Sequence, residues 1–459
     1  MISLVRVIPG VEVKVVKEIV PQQLFAAGVV GMIGTSNDGP IGVPRAVTSY
    51  RELVDIFGPE EAGFTLHAEA KNAFLNGVFQ VVATRVGGAA SAPAFTVLKG
   101  RKRIDVIKLT SKELGEAGNR INIVILKGAS DNTFRLEISS GSNKEEFDNL
   151  SMAKGADLNA EKIITENSRI ISAQFLVDDA TPETIPIPTE TKLSGGKFAP
   201  PSKRDYESAL EALELETTID TVYVCDNSDP EVHALVDAHC QNMSLGKEPK
   251  PLGPRIGIGT VGRNESVDDI IKRTELIASD RFILVAPYGL AGSVAGLISK
   301  LDYYESPTFK ALTGIANIEK RYTPSEQMKL LTNGILTVDA VRGRGIIVVK
   351  GITTSKEQIS VMRVADRAVR GVKNIADNFI GTLNNSRGRL ALKERLREFF
   401  VGMEREGSIV PTTDLSQPAF LIDVYSTQAD FAQGIVHTDI AVRPVRAMDY
   451  IYGMVTVQA

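Results

Sequence analysis

The 459-residue sequence has no tryptophan, only two cysteines and four histidines, and a formal charge of only -4. Each scarcity narrows the reading. Cys225 and Cys240 are too few for a disulfide framework in a chain of this length, so they read as small buried thiols in a reducing compartment. Four histidines leave little material for a metal centre. His233 and Asp237 share a helix face at i, i+4, but His67 and His437 stand alone and no further ligand lies at a matching spacing. The helix that also carries His239 and Cys240 therefore reads as partly buried and amphipathic, and no metal or cofactor is expected. Near-balanced charge supplies no basic field for nucleic acid or anionic lipid.

Long apolar runs are missing too. Glu12, Lys14 and Lys17 interrupt anything resembling a signal peptide, so the expectation is a chain made and kept inside a cell, or released by lysis. Phe282 to Ser299 carries no charge, but Pro287, Gly289, Gly292, Ser293, Gly296 and Ser299 dilute it. It reads as strand, loop and buried helix, with no insertion into a membrane.

What is present is the make-up of an ordinary globular protein, 43% hydrophobic and 24% charged, with length enough for two or three domains. Val11-Glu12-Val13-Lys14-Val15 alternates apolar and charged residues after Pro9-Gly10, the pattern of a strand with one apolar face. Ile435 to Val457 is rich in β-branched and aromatic residues, with Val442, Val445, Ile451, Val455 and Val457 spaced by Pro444 and Gly453. Between these strand-like ends, Leu24 to Ile33 reads as a buried strand, Ser49 as the cap of a helix through Phe57, Leu66 to Gly77 as a second helix and Gln80 to Val86 as a strand. Ile104 to Leu109, Ile121 to Leu126, Thr133 to Ile138 and Ile170 to Val177 are strand-like pieces of a mostly β module, with a breaker-rich exit from Ile185 to Pro201. From Asp205 onward helix and strand alternate again, as expected for a sheet covered by helices.

Motifs for chemistry are weak. Gly257-Ile258-Gly259-Thr260-Val261-Gly262 matches G-x-G-x-x-G, but Pro251, Gly253 and Pro254 precede it and the following helix starts only near Asn264 or Ser266. No paired carboxylate, nucleophile elbow or Walker loop accompanies it, and the chain is not expected to be an enzyme. The helix Gly388 to Glu406 is basic in its first half, with Arg387, Arg389, Lys393, Arg395 and Arg397, while Leu390, Leu396, Phe399 and Phe400 can face a core. It reads either as a solvated helix with i, i+4 ion pairs or as a docking face for an acidic partner.

A set of segments in a fixed order carries a resemblance. Pro9 to Val13, Gly31-Met32-Ile33-Gly34-Thr35 with Gly39-Pro40 and Pro44, Phe57-Gly58, and Phe74 to Gly77 before Val82 to Val86 open it. Gly115 to Arg120, Ala291 to Gly296, Leu331 to Ile335 and Arg344 to Val348 leading to Thr353-Thr354 continue it. The sequence resembles the contractile tail sheath proteins of phages and related injection machines. It departs from them in having Val348 to Lys350 where aromatic residues are frequent, and in lacking tryptophan.

The resemblance implies a mixed α/β core domain built from discontinuous segments, 21–88 plus 202–439, with an inserted mostly-β domain at 89–201. Strand-forming arms at 1–20 and 440–459 flank it. It further implies a helical homopolymer that contracts around an inner tail tube protein, with baseplate and tail-terminator proteins at its ends. Such a particle is a virion tail or a phage-tail-like particle, assembled in the bacterial host cytoplasm. Val11, Val13, Val15, Val442, Val445, Ile451, Val455 and Val457 are then expected to pair with neighbouring subunits, and Arg387, Arg389, Lys393 and Arg397 to contact the tube. A nucleotide-binding α/β enzyme and a non-contractile filament or surface-layer protein are the alternatives.

Overall fold

The computed structural model describes residues 28–452 and 454, apart from 142, 179 and 247–250. Val11, Val13, Val15, Val455 and Val457 lie outside the described residues.

The chain begins its described course with β1 (Val29–Gly34), which is buried at all six positions, as an uninterrupted apolar run in a parallel sheet should be. β2 (Arg45–Val47) leads to α1 (Tyr50–Phe57), started by the Ser49 side chain accepting from the Glu52 N–H. α2 (Leu66–Leu75) and β3 (Gln80–Arg85) follow.

The next stretch is mostly β: β4 (Pro93–Lys99), β5 (Asp105–Leu114), β6 (Asn122–Lys127), β7 (Thr133–Ser140) and β8 (Asn143–Ser151), then α3 (Ala160–Asn167), β9 (Ile171–Phe175) and β10 (Thr189–Lys192). These strands make two antiparallel sheets, β4-β5-β9 and β10-β6-β7-β8, which share one core containing Leu109, Ile123, Phe134 and Leu136. The breaker-rich exit is partly strand, because β10 pairs with β6 at Thr191 and Ile123.

Alternation then resumes: α4 (Lys203–Ala212), β11 (Thr221–Val224), α5 (Pro230–Leu245), β12 (Ile256–Thr260), α6 (Val267–Leu276) and β13 (Phe282–Ala286). α7 (Ala291–Lys300), α8 (Pro324–Thr332), β14 (Ile335–Val341) and β15 (Gly345–Val348) complete the body. The uncharged stretch from Phe282 is thus strand, turn and buried helix, and no helix among the described residues is long and apolar enough to cross a membrane.

One eight-stranded sheet, in the order β15-β14-β13-β12-β11-β1-β3-β2, gathers strands from before and after the β module. Its six inner strands are parallel and its two outermost pairings antiparallel. The join falls at β1 against β11, where Gly31 is opposite Val222. Because side chains alternate across a strand, Val30 and Met32 feed the core under α2 and α7, while Val29 and Ile33 feed the core on the opposite face. α2 and α7 cross at backbone distance: a Cβ on Gly292 would lie 2.4 Å from Glu69 Oε2, and one on Gly296 2.3 Å from the Ala73 carbonyl oxygen.

Candidate assembly site

The last part of the chain forms a platform beside the sheet. α9 (Ile359–Asp377) is fastened at one end of the strands by its cations. Arg363 donates to the Leu301 and Asp302 carbonyls at 2.9 Å each, and Arg370 donates to the Ile219 and Pro254 carbonyls at 2.6 Å and pairs with Asp220 at 3.0 Å. Asp366 of α9 meets Arg281 in a buried pair; burial pushes the Asp366 carboxyl above its usual range while Arg281 opposes the shift. The Asp220 carboxylate also accepts the Gly28 N–H at 2.7 Å, so one residue ties the start of β1 to α9.

α10 (Ser386–Arg405) begins at Asn385, whose side chain accepts the Gly388 N–H at 2.8 Å. Leu392, Leu396, Phe400 and Met403 form its buried stripe at helical spacing. Gly371 of α9 makes room for α10, since a Cβ there would lie 2.1 Å from the Phe399 ring. The sequence reading placed Leu390 on the core side. It is 58% exposed, because six residues at about 100° each leave it about 120° around the helix axis from Leu396, and Leu392 takes the inward position.

On α10 rests a hairpin of β16 (Phe420–Tyr425) and β17 (His437–Val442), joined through α11 (Gln428–Gln433) and paired antiparallel from Phe420–Val442 to Tyr425–His437. Phe400 stacks on Phe420 with ring centroids 5.5 Å apart, and Ile422, Ile440 and Val442 pack on the same small cluster. Along both strands half-buried and exposed residues alternate. Among the described residues no further strand pairs with this two-stranded sheet. At its base lies a groove of about 580 Å³, walled by Val361, Pro418, Leu421 and Pro444, with Arg443 and Arg446 on it.

The four basic residues of α10 divide. Arg389 donates to the Asn384 side chain at 2.8 Å and Lys393 pairs with Asp423 at 3.5 Å. Arg387 and Arg397 are exposed and have no hydrogen bond or ion pair to another described residue.

The glycine motif serves packing. Gly257 and Gly259 lie within β12, where added Cβ atoms would stand 2.7 Å from Val236 Cγ1 and 2.6 Å from Phe282 Cζ. The Gly262 N–H donates to Glu265 at 2.6 Å, and Asp268 and Asp269 occupy the first turn of α6, leaving that helix start hostile to a phosphate. His233 is buried with Nε2 bonded to the Asn227 carbonyl at 2.9 Å, and burial lowers its pKa to about 4. No group of three or more His, Cys, Asp or Glu side chains among the described residues could hold a metal ion.

Against this architecture the comparisons are consistent. The family model for the phage tail sheath protein central domain matches residues 199–354. The tail sheath protein of Staphylococcus phage Twort is 27% identical over 246 residues, which are 48% of this chain and 40% of that protein's length. The sheath tail protein Lin1278 from Listeria innocua superimposes with a TM-score of 0.70 at 15% identity, covering 92% of each chain. The anti-feeding prophage helical sheath in its contracted state gives 0.57 at 13% identity, covering 98% of this chain and 99% of that one. Residues 199–354 thus match the central domain of phage tail sheath proteins, and the chain shares the sheath fold over most of its length.

In this sheath-like chain the C-terminal segment is not uniform. Val442 belongs to β17, and Val445 donates its N–H to the Ser408 carbonyl at 2.9 Å, so both are held by their own subunit. Arg446 grips Glu357 with two bonds of 2.8 and 3.0 Å, and Gln358 holds Asp449 at 2.8 Å. Ile451 lies beyond these anchors and is 85% exposed, next to Tyr450, Tyr452 and Met454. The β16 strand was missed in the sequence. Its Phe-Leu-Ile-Asp-Val-Tyr alternation was the signal that could have found it.

Proposed function

We propose that the chain is a structural subunit of a contractile tail sheath, polymerising as a helical sleeve around an inner tube and shortening to drive that tube through a cell envelope. The observation that carries this reading is the unfinished sheet β16–β17 on a well-anchored platform, in a chain whose ends are patterned as strands. An isolated two-stranded sheet is marginal in water, and its edges offer unpaired N–H and C=O groups to incoming strands. Residues 1–20 of one neighbour and the C-terminal segment of another are the strands we assign to those edges. Because Asp449 and Tyr450 are held by Gln358 and Lys350 of the same chain, we assign the reaching part of the 440–459 arm to the residues after Tyr450.

Main-chain pairing of this kind does not depend on how the bodies pack. Bodies can rotate and repack while the mesh of arms stays joined, and contacts between different patches propagate as an open helix. A modest preference for the short arrangement, summed over many subunits, drives the motion without a nucleotide or other cofactor. Baseplate and tail-terminator proteins would cap such a sleeve in the virion tail or tail-like particle. Arg387 and Arg397, exposed and unpaired among the described residues, are the stronger tube-facing candidates; Arg389 and Lys393 are already engaged. The experiment is electron microscopy of the purified chain. Hollow, cogwheel-like tubes are expected, and a discrete small oligomer with no polymer would contradict the reading.

A further inference from the structure

The β module and the body have separate hydrophobic cores. The module's core draws only on residues from Ala94 to Leu193, and neither body core contains any of them. The connection between the two units is polar and narrow. The entering and leaving linkers zip together, with the Gly88 N–H on the Ala199 carbonyl at 2.8 Å and Ala92 and Lys197 exchanging bonds of 2.8 and 3.0 Å. Gly88 is required there, because a Cβ would lie 2.3 Å from the Pro200 carbonyl oxygen. Between body and module run two adjoining clefts of about 420 and 270 Å³, both lined by Asp38 and Asp55 of the body and Ala117 and Asn143 of the module.

One buried side chain bridges the two units. Arg85, at the end of β3, is fully buried, and its guanidinium is shared out among backbone carbonyls. From the body it binds the carbonyls of Ser36 at 2.9 Å, Asn37 at 3.2 Å and Gly39; from the module it binds that of Leu114 at 2.8 Å. Among the described residues no carboxylate hydrogen-bonds it; Asp38 of the body and Glu113 of the module support its charge through space. A desolvated guanidinium costs several kcal/mol unless its donors are used, so its fan of bonds favours one angle between the two units over others. Outside the cores, an ion pair of Arg120 with Glu61 and an edge contact of Phe64 with Phe198, centroids 5.1 Å apart, add weaker ties.

We propose that the β module swings as one rigid unit about the zipped linkers, with Arg85 as the pin that sets its angle and the adjoining clefts as the room it closes into. This stands whether or not the chain forms a sleeve. A swinging module lets one subunit occupy two arrangements without disturbing either core.

Pulsed electron-spin distance measurement on the full chain tests it. One label pair spans the units at Asp131→Cys and Glu275→Cys, and a control pair within the module uses Asp131→Cys and Glu190→Cys; all three positions are exposed and the native Cys225 and Cys240 are buried. The spanning distribution is expected to be broader than the control, and Arg85→Lys should broaden or shift it while the control stays unchanged. Arg120→Ala, exposed and outside both cores, should broaden it less and keeps the test valid if Arg85→Lys does not fold. A spanning distribution as narrow as the control, or one that Arg120→Ala leaves unaltered, overturns the proposal.

Discussion

β1 and β16 are both six residues long and rich in apolar side chains, but they belong to sheets of opposite kinds. β1 is buried at every position, whereas β16 alternates half-buried and exposed residues. The eight-stranded sheet leaves little open edge: its outer strand β15 is covered by main-chain bonds from Phe309 to Val348 and from Leu312 to Ile346, each 2.8 Å, and the opposite edge is the three-residue β2. The β16–β17 pair has helix α10 on one face and, among the described residues, no further strand beside it, only a single bridge of Ile409 with Pro444 just past the end of β17. The larger sheet offers little edge to a partner, whereas the smaller one offers more, which is the property the proposed polymer joint needs.

The comparison can be broken most severely at Phe400. Phe400→Ala removes the ring on which Phe420 rests and should cost about 4 kcal/mol locally. Hydrogen exchange should show lost protection in β16 and β17 with the eight-stranded sheet still protected. Equal loss in both sheets would mean that the two are one cooperative unit.

Glu69, beneath the larger sheet's α2–α7 crossing, tests that region by pH. Burial, with Asp226 adding repulsion, raises its pKa from 4.5 to about 7. The folded state therefore keeps a proton that the unfolded chain has released, so this site's contribution is full below the unfolded pKa and is lost as pH rises through the folded one. The loss is on the order of 3 kcal/mol. Glu69→Gln should show a smaller fall in melting temperature between about pH 5 and about pH 8. A parallel pH profile would contradict the buried, protonated carboxyl.

Gly259→Val places a side chain against Phe282 and His233 and should cost about 2 kcal/mol. Titration calorimetry with NAD or ATP should give no heat for either the parent or the variant; saturable binding abolished by the substitution would restore the nucleotide reading. The smallest effect is expected at Lys393, whose pairing with Asp423 is exposed on both sides. Lys393→Ala should change stability by about 0.5 kcal/mol or less, measured by denaturant unfolding.

The larger sheet was legible because buried parallel strands are unbroken apolar runs: Val29 to Gly34 and Phe282 to Ala286 could hardly be read otherwise. Ser49 announced α1 by its capping chemistry. Half-exposed strands were hidden, since β8 carries Lys-Glu-Glu and β16 carries Asp423 between apolar neighbours. Leu390 misled because residue type does not reveal what lies across the gap, which was solvent; for the same reason the packing role of Gly257 against Val236 could not be read, although the motif was rightly set aside as a nucleotide site. Arg85 was equally silent, because an arginine that binds only carbonyl groups leaves no partner pattern in the sequence.

The central claim is that strands from neighbours finish the β16–β17 sheet. Electron microscopy of the full chain beside a chain lacking Met1 to Lys17, with circular dichroism to check folding, tests it most directly. The account predicts tubes from the full chain and a folded, soluble, unpolymerised body from the shortened one. Tubes of the same form and length from both would contradict it.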